Sequence, residues 1–182
     1  MPLEPQERQE LLGRARRAGA VALRLPGGVA FPAAAGRLAE PGACFVTWKR
    51  AGRLRGCIGS VEPRRPLADD VESNAVAALL HDPRFAPCTA RDFPQYRCEL
   101  SVLFPREPIR AAEEVEIGVH GLYVEKGARR GLLLPQVAPE WSWDALRFLE
   151  QVCLKAGLPA MAWSEPGTNV YRFSAEVFGE SE

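Results

Sequence analysis

The sequence predicts an α+β fold, and three observations support that prediction. Its 182 residues fit one compact domain, or two halves that share a core, and 47% apolar against 25% charged residues is typical of globular proteins. Segments predicted as hairpin, helix and strand follow one another in that order twice along the chain. The predicted helices are too few for a doubly wound parallel sheet, which leaves an α+β architecture.

The N-terminal piece, residues 1–42, is predicted to be a helix followed by a loop. Apolar residues at helical spacing run from Gln6 to Arg24, and Pro5 suits the first turn. Pro26, Gly27 and Gly28 end the helix, and a loop rich in Ala, Pro and Gly continues to Gly42. The apolar positions that predict the buried side of this helix are Leu11, Leu12, Ala15 and Ala18.

The first half, residues 43–105, is predicted to contain a hairpin, a helix and a strand. The hairpin turns at Arg50–Gly52, and acidic residues near the start of the helix favour its positive N-terminal end. Pro105 ends the last strand. The predicted elements are strands 43–48 and 53–58, a helix over 67–81 and a strand over 98–104.

The second half, residues 115–178, repeats this order and indicates a weak internal duplication. The alternative is chance, because hairpin, helix and strand often follow one another in α+β proteins. The helix is predicted to turn Leu146, Leu149 and either Val152 or Cys153 inward. The predicted elements are strands 115–118, 122–125 and 131–134, a helix over 143–156 and a strand over 169–178.

Charge and hydropathy exclude several classes of protein. Lys and Arg number 23, as do Asp and Glu, which excludes a globally basic nucleic-acid binder and an acidic tail protein. No apolar stretch approaches the ~20 residues that span a bilayer, and the N-terminus has no signal-peptide core. We therefore expect a cytoplasmic protein without a membrane partner. Five cysteines without a C-x-x-C pair predict free thiols and no structural zinc site.

The segment Trp48–Ser60 is the strongest candidate for chemistry. If Arg53–Ile58 is extended, Arg53, Arg55 and Cys57 lie on one face of the strand, and Leu54 and Ile58 lie on the core side. An arginine beside a cysteine favours the reactive thiolate. The sequence thus predicts Cys57 and Arg55 as catalytic candidates. The alternative is that Cys57 is buried and serves packing, as cysteines often do.

Two glycines flank the thiol, and basic residues surround it. Gly56 and Gly59 allow a ligand, or another backbone, to approach closely, and they also mark bulges or corners. The basic run over 49–65 could bind phosphate with Trp48 as a stacking platform, or it could be an ordinary solvated hairpin.

Four polar residues elsewhere are weaker candidates. His120 could act as a base for Cys57 if the fold brings the two together, or it could be a turn residue. Gln136 and Glu140 lie with two tryptophans before a predicted helix and could form a pocket wall, or the tryptophans could cover the core. Glu99 could help to position a substrate.

Common catalytic and nucleotide-binding motifs are absent. The chain has no P-loop pattern, no G-x-G-x-x-G, no G-x-S-x-G elbow and no H-E-x-x-H, and it has two histidines in total. No metal site and no cofactor are predicted.

The chain resembles the AMME syndrome candidate gene 1 family, whose prokaryotic members are called AmmeMemoRadiSam system protein A. The block Leu54–Gly59, with the sequence LRGCIG, is similar to the signature hexapeptide of that family. The resemblance continues in order over nearly the whole chain. It is carried by residues 82–85, 99–103, 121–122, 131–137, 140–141 and 153–158.

The resemblance implies an α+β fold with a barrel-like, mostly antiparallel sheet and an internal duplication, so that 1–182 form one family domain. It implies association with a Memo-type protein and a radical S-adenosylmethionine enzyme, and a nucleotide, RNA or peptide substrate by fold analogy. It supplies no reaction. We therefore expect an enzyme, or a component of one, with a cleft centred on Cys57 and Arg55 that binds an anionic substrate. The alternative is a non-catalytic binding or adaptor module in which Cys57 is structural.

Overall fold

A computed structural model describes residues 2–26, 29 and 31–181. It confirms the α+β class and the antiparallel character of the sheet, because the described strand pairings of both halves of the chain are antiparallel. Contacts divide the chain into two compact units. Unit 1 comprises Met1–Leu103 and Glu176–Glu182, and unit 2 comprises Phe104–Ala175.

The described helices and strands follow the order that the sequence predicts, with three differences. Two short strands (65–66 and 107–109) and a short helix (137–140) are additional, and no strand forms over 115–118. The bounds are α1 Pro5–Ala22, β1 Pro41–Arg50, β2 Arg53–Gly59, β3 Arg65–Pro66, α2 Leu67–Leu80, β4 Tyr96–Leu103, β5 Glu107–Ile109, β6 His120–Lys126, β7 Arg129–Leu133, α3 Val137–Glu140, α4 Ala145–Lys155 and β8 Asn169–Gly179. Each half contains a hairpin, a helix and a strand: β1, β2, α2 and β4 in the first, and β6, β7, α4 and β8 in the second.

In unit 1, β1 is the central strand and pairs with β2 on one side and β4 on the other. The β1–β2 hairpin closes through Ala51 and Gly52, whose φ angles of 49° and 71° suit a two-residue turn with the twist of the strands. The register shifts once, because Trp48 lies opposite Gly56 whereas Lys49 lies opposite Leu54. Arg55 is therefore the extra residue of a β-bulge.

Helices α1 and α2 form the core of unit 1 together with the inner face of this sheet. Trp48 is fully buried and its indole N–H donates to the Ala75 carbonyl at 3.0 Å. Gly19 in α1 lies so close to Leu79 and Phe93 that a Cβ would sit 2.8 Å from each. This glycine weakens the intrinsic helix propensity, but it allows α1 to pack closely.

In unit 2, β6 pairs with β7 and β8, and α4 packs against the hairpin. Asp144 caps α4 by accepting the backbone N–H of Arg147 at 2.7 Å. Gly131 on β7 lies against the α4 backbone, and a Cβ there would be 2.8 Å from the Val152 carbonyl oxygen. Gly56 on β2 lies in the same way against α2 in unit 1. The two hairpins share this helix–strand contact, which is evidence for the internal duplication.

Three expectations about particular residues are wrong. Val115–Gly118 is not a strand, because Gly118 has a φ of 85° and the amides of Val119 and His120 both donate to the Glu116 carbonyl in a turn. Leu146 is 53% exposed, because α4 turns Phe148, Leu149, Val152 and Cys153 inward. Leu54 is 39% exposed, because the bulge at Arg55 reverses the alternation of side chains. Gly27 and Gly28, predicted to end α1, lie outside the described residues.

Within the residues that the structure describes, no helix combines the length and the apolar character needed to cross a membrane.

Candidate functional site

Cys57 differs from the other cysteines in its exposure. All five cysteines are free thiols, and the four others are buried whereas Cys57 is partly exposed. It lies on β2 opposite Thr47 of β1, which in turn lies opposite Glu99 of β4. Side chains opposite one another share a face, so these three residues form a row across the outer face of the sheet. The Thr47 hydroxyl donates a hydrogen bond to the Cys57 sulfur at 3.2 Å.

The β-bulge separates Arg55 from Cys57. Arg55 turns toward the inner side, where its Nε lies 3.4 Å from the hydroxyl of Tyr96, a residue 3% exposed. The predicted placement of the two side chains on one face is therefore wrong. The physical reason is the extra residue in β2, which breaks the period-two alternation on which the prediction relied.

Another arginine takes the place near Cys57 that was expected for Arg55. Arg84 Nη2 donates to the Cys57 carbonyl at 3.1 Å, and the Cys57 amide donates to Asp82 Oδ2 at 2.9 Å. Arg84 also binds Asp82 through Nε at 2.9 Å and Nη2 at 2.7 Å. Both backbone polar groups of Cys57 are thus bound by one Asp–Arg pair that follows α2.

Asp82 is an ionised carboxylate within this pair. Its side chain is 2% exposed, and it also accepts the backbone amide of Arg84 at 3.1 Å. Hydrogen bonds from the Arg84 guanidinium hold the pKa of Asp82 well below its usual range, and the amides of Cys57 and Arg84 act in the same direction against the opposing effect of burial.

A second buried carboxylate fixes the end of β2. Asp70 in the first turn of α2 accepts the Ser60 hydroxyl at 2.7 Å, the Asn74 amide at 3.0 Å and the backbone amide of Cys44 at 3.1 Å. The Asn74 amide also donates to the Cys44 carbonyl at 3.1 Å. Asp70 and Asp82 therefore hold the Cys57-bearing strand from the two ends of α2.

Gly56 and Gly59 pack against the chain itself. A Cβ on Gly56 would lie 1.9 Å from the Ala78 carbonyl oxygen, and one on Gly59 would lie 2.3 Å from the Phe45 ring. The space beside each glycine is filled by the protein, so neither leaves room there for the ligand that the sequence prediction placed against it. Gly56 allows the close approach of another backbone, that of Ala78, as one sequence alternative held. At Gly59 the Phe45 ring fills the space where a Cβ would lie.

A cleft of about 580 Å³ opens on unit 1 at the end of the row that contains Cys57. Glu99 lines it and belongs to both features, and Lys49 pairs with Glu99 at 2.7 Å. Arg97 also lines it, is exposed, and donates through Nη1 to the carbonyls of Pro94 and Tyr96, both at 3.1 Å. The volume is in the range of small-ligand sites. The remaining lining residues are Ala51, Gly52, Gln95, Cys98, Gly179 and Glu180.

The structure places His120, Gln136 and Glu140 in unit 2. His120 accepts the Glu116 amide through Nδ1 at 2.9 Å, and burial, followed by the charge of Arg172, lowers the pKa of His120. Gln136 and Glu140 are both exposed. Gln136 precedes α3 and Glu140 is its last residue, and the Glu140 amide donates to the Gln136 carbonyl at 3.2 Å. Their use as a base and a pocket wall stays a prediction.

Two tryptophans beside α3 are stacked. Trp141 is 67% exposed, and its ring lies 6.0 Å from that of Trp143 at an interplanar angle of 18°. Trp143 packs toward Phe148, at 6.5 Å between ring centroids. Trp143 thus covers the core, as one of the sequence alternatives held, whereas Trp141 does not.

Sequence reasoning missed Thr47, Asp82 and Arg84. Thr47 carries no signal, since a threonine in a strand is ordinary and only the strand pairing places it beside Cys57. Asp82–Phe85 was known as part of the family resemblance. The residue types at 82–84 alone do not indicate that the side chains of Asp82 and Arg84 bind the backbone of β2. Among the described residues, no group of three His, Cys, Asp or Glu side chains is arranged to hold a metal ion.

Comparisons with known proteins agree with this architecture. A protein from Methanothermobacter thermautotrophicus is 47% identical over 142 residues, which cover 75% of this chain and 74% of that protein. A protein from Aeropyrum pernix is 45% identical over 158 residues, 82% of this chain and 68% of that protein. The crystal structure of uncharacterized protein PH0010 from Pyrococcus horikoshii is similar with a TM-score of 0.81 at 38% identity, covering 94% of this chain and 90% of that one.

The sequence model of the AMMECR1 family matches residues 15–178. This range includes both hairpins, both helices that pack on them, and the Cys57 row with its Asp82–Arg84 pair. The chain belongs to the AMMECR1 family.

Proposed function

We propose that the protein is an enzyme, or the substrate-binding component of one, whose reactive group is the Cys57 thiol. The main support for this proposal is the environment of the sulfur. Cys57 is partly exposed, and its sulfur accepts a hydrogen bond from the Thr47 hydroxyl at 3.2 Å. The backbone amide and carbonyl of Cys57 are bound by the side chains of Asp82 and Arg84. A hydroxyl that donates to sulfur stabilises the thiolate, which is the nucleophilic form.

The duplicated half supports this proposal. Gly56 and Gly131 occupy matching places, each against the backbone of the packed helix, so Cys57 corresponds to Leu132 as the next residue along. Thr47, opposite Cys57, corresponds to Tyr123, opposite Leu132. Leu132 and Tyr123 are both buried. Unit 2 is therefore built with a buried leucine at the position of Cys57, so this architecture does not require a thiol there.

We assign the cleft beside Glu99 to an anionic substrate such as a nucleotide, an RNA segment or an acidic peptide. Arg97 supports this assignment, because its guanidinium lines the cleft and its described partners are backbone carbonyls, which leave its charge without a carboxylate. Two strand spacings, about 10 Å, separate the Cα atoms of Cys57 and Glu99. A substrate the size of a nucleotide could thus reach from Arg97 to the sulfur.

Alkylation kinetics test the thiol. We expect iodoacetamide to modify Cys57 in the native protein faster at pH 7 than it modifies glutathione, with Cys57→Ser as the control that removes this phase. The Thr47→Val variant keeps the volume of the side chain, removes the hydroxyl and should slow the reaction. A Cys57 that reacts no faster than glutathione, or only after unfolding, would contradict the nucleophile.

Protection of Cys57 from alkylation tests the cleft. We expect adenosine monophosphate, a short RNA or an acidic peptide to slow the reaction, and Arg97→Glu to abolish the effect. Arg64→Glu is the matched control, because Arg64 is 75% exposed and its partner Glu62 lies outside the cleft. Equal loss of protection in both variants would indicate unspecific attraction of charge.

A second function, that of a binding or adaptor module, is favoured by one observation. Trp141 exposes 67% of its surface beside Gln136 and Glu140, and exposed tryptophans often anchor protein partners. The partners that the family resemblance implies are a Memo-type protein and a radical S-adenosylmethionine enzyme. A pull-down with both, in the presence and absence of RNA, separates the functions. Binding that survives Cys57→Ser but is lost in Trp141→Ala favours the adaptor.

A further inference from the structure

We propose that Asp82 and Arg84 are positioning residues for the Cys57 thiol, an inference that rests on the proposed function of Cys57. They act through the backbone of Cys57 and through charge. The pair replaces Arg55, which sequence alternation had placed beside the sulfur, as the determinant of how this cysteine reacts.

The position of Cys57 on the sheet leaves its backbone groups available to such a pair. Among the described pairings, β2 bonds to β1 alone, so the backbone groups on its other side have no strand partner. The Cys57 amide donates to Asp82 and its carbonyl accepts from Arg84, at 2.9 Å and 3.1 Å. At Cys57, the side chains of Asp82 and Arg84 thus form the hydrogen bonds that a neighbouring strand would otherwise form.

Holding both backbone groups fixes the direction of the Cys57 side chain. With the peptide units on either side bound, the Cα–Cβ bond has one orientation, and the sulfur meets the Thr47 hydroxyl at 3.2 Å. Contacts within the segment Asp82–Arg84 restrict the conformation of the segment itself. Proline restricts the backbone, and the Asp82 carboxylate accepts both the amide and the guanidinium of Arg84.

The two charged groups of the pair differ in solvent exposure. The Asp82 carboxylate is 2% exposed and has donors from Cys57, the Arg84 amide and the Arg84 guanidinium. The Arg84 side chain is 56% exposed, and its Nη1 group has no protein partner among the described contacts. The guanidinium is thus a cation held beside Cys57 with one edge open, and it can stabilise a negative sulfur or an anionic group of a substrate.

The test compares alkylation of Cys57 by iodoacetamide across pH in Arg84→Gln, Arg84→Lys and Arg55→Gln. We expect Arg84→Gln to lower the ratio of the rate at pH 7 to the rate at pH 9.5 by about threefold, as the loss of one partly solvated charge implies. Arg84→Lys keeps the charge and should keep most of the ratio. Arg55→Gln removes a charge at the Tyr96 side and should leave the ratio unchanged.

Three outcomes separate the possibilities. A ratio that falls in Arg55→Gln but not in Arg84→Gln overturns the inference and leaves the reactive thiol in place. A loss of urea stability in Arg84→Gln without any change in the ratio shows a structural contact alone, and also overturns it. A wild-type Cys57 that does not react in the native protein overturns the proposed function itself, whatever the variants do.

Discussion

Asp82 accepts the backbone amide of Cys57 at 2.9 Å although the two residues lie 25 positions apart. Helix α2 and the turn after it connect the two residues along the chain. The strand that bears the thiol and the segment that binds its backbone therefore lie in the same half of the chain.

Gly56→Ala should destabilise the protein by about 3 kcal/mol or prevent folding, because a new Cβ would lie 1.9 Å from the Ala78 carbonyl oxygen. Gly131→Ala should cost less, since its nearest contacts are at 2.8 Å. Urea unfolding measures both. Gly13→Ala is the control: its contact at 3.4 Å is ordinary and its site is helical, so the free energy of unfolding should stay or rise. Equal stability of Gly56→Ala and Gly13→Ala would contradict the close helix–strand contact.

Asp82 should make the stability of the protein depend on pH in the acid range. Its pKa is lowered in the folded state, chiefly by Arg84, so the stabilisation is present above the unfolded pKa of about 4 and is lost as pH falls through the folded value. Asp82→Asn should cost about 2 kcal/mol at pH 7 and flatten the decline between pH 5 and pH 2. Thermal unfolding at several pH values measures this. A wild-type curve and an Asp82→Asn curve that decline in parallel would contradict it.

The five thiols should differ in native reactivity. Burial raises the pKa of Cys44, Cys88, Cys98 and Cys153, most strongly for Cys44 and Cys98. A disulfide reagent at pH 8 should therefore titrate one thiol per native chain and five after unfolding in guanidinium. Cys57→Ser should titrate none in the native state. If two or more thiols of native Cys57→Ser reacted quickly, the buried cysteines would be accessible to the reagent and the prediction would be wrong.

Arg14 should be among the most sensitive charged residues of unit 1. Its side chain is 3% exposed, pairs with Glu10 and Glu72 at 2.8 Å each, and donates to the Pro32 carbonyl at 2.9 Å. Arg14→Ala should destabilise by about 2 kcal/mol, because it removes a buried side-chain stem from the core and leaves the Pro32 carbonyl without this donor. The control is Arg17→Ala, an exposed arginine stacked on Phe31 at 4.2 Å, which should cost less than about 1 kcal/mol. Similar costs in both variants would show that burial of Arg14 contributes little.

Much of the architecture could be predicted from periodicity. The helix predicted over 67–81 is observed at Leu67–Leu80, and the strand predicted over 53–58 at Arg53–Gly59, because long periodic segments outweigh local propensity. Segment boundaries and single faces were less predictable. Val115–Gly118 has an apolar pattern typical of a strand, yet the positive φ of Gly118 and the bonds to the Glu116 carbonyl make it a turn.

Only part of the candidate site could likewise be predicted from the sequence. Cys57 could be singled out because it stands between glycines and near arginines, and those residue types are visible in the sequence. The identity of its neighbours could not be read, because a β-bulge of one residue moves Arg55 to the other face. Glu99 was a weak candidate, and only the strand register places it in the row of Cys57 and Thr47.

By itself, the sequence of this protein determined its class, the two hairpin–helix–strand halves and the choice of Cys57, since local periodicity and residue chemistry are properties of neighbouring positions. Tertiary structure alone decided which arginine binds the Cys57 backbone, which hydroxyl binds the Cys57 sulfur, and that Gly56 and Gly59 pack against the chain itself. The reason is physical. Register, bulges and the return of the chain after α2 depend on long-range packing, and a shift of one residue in a strand exchanges the two faces of the sheet.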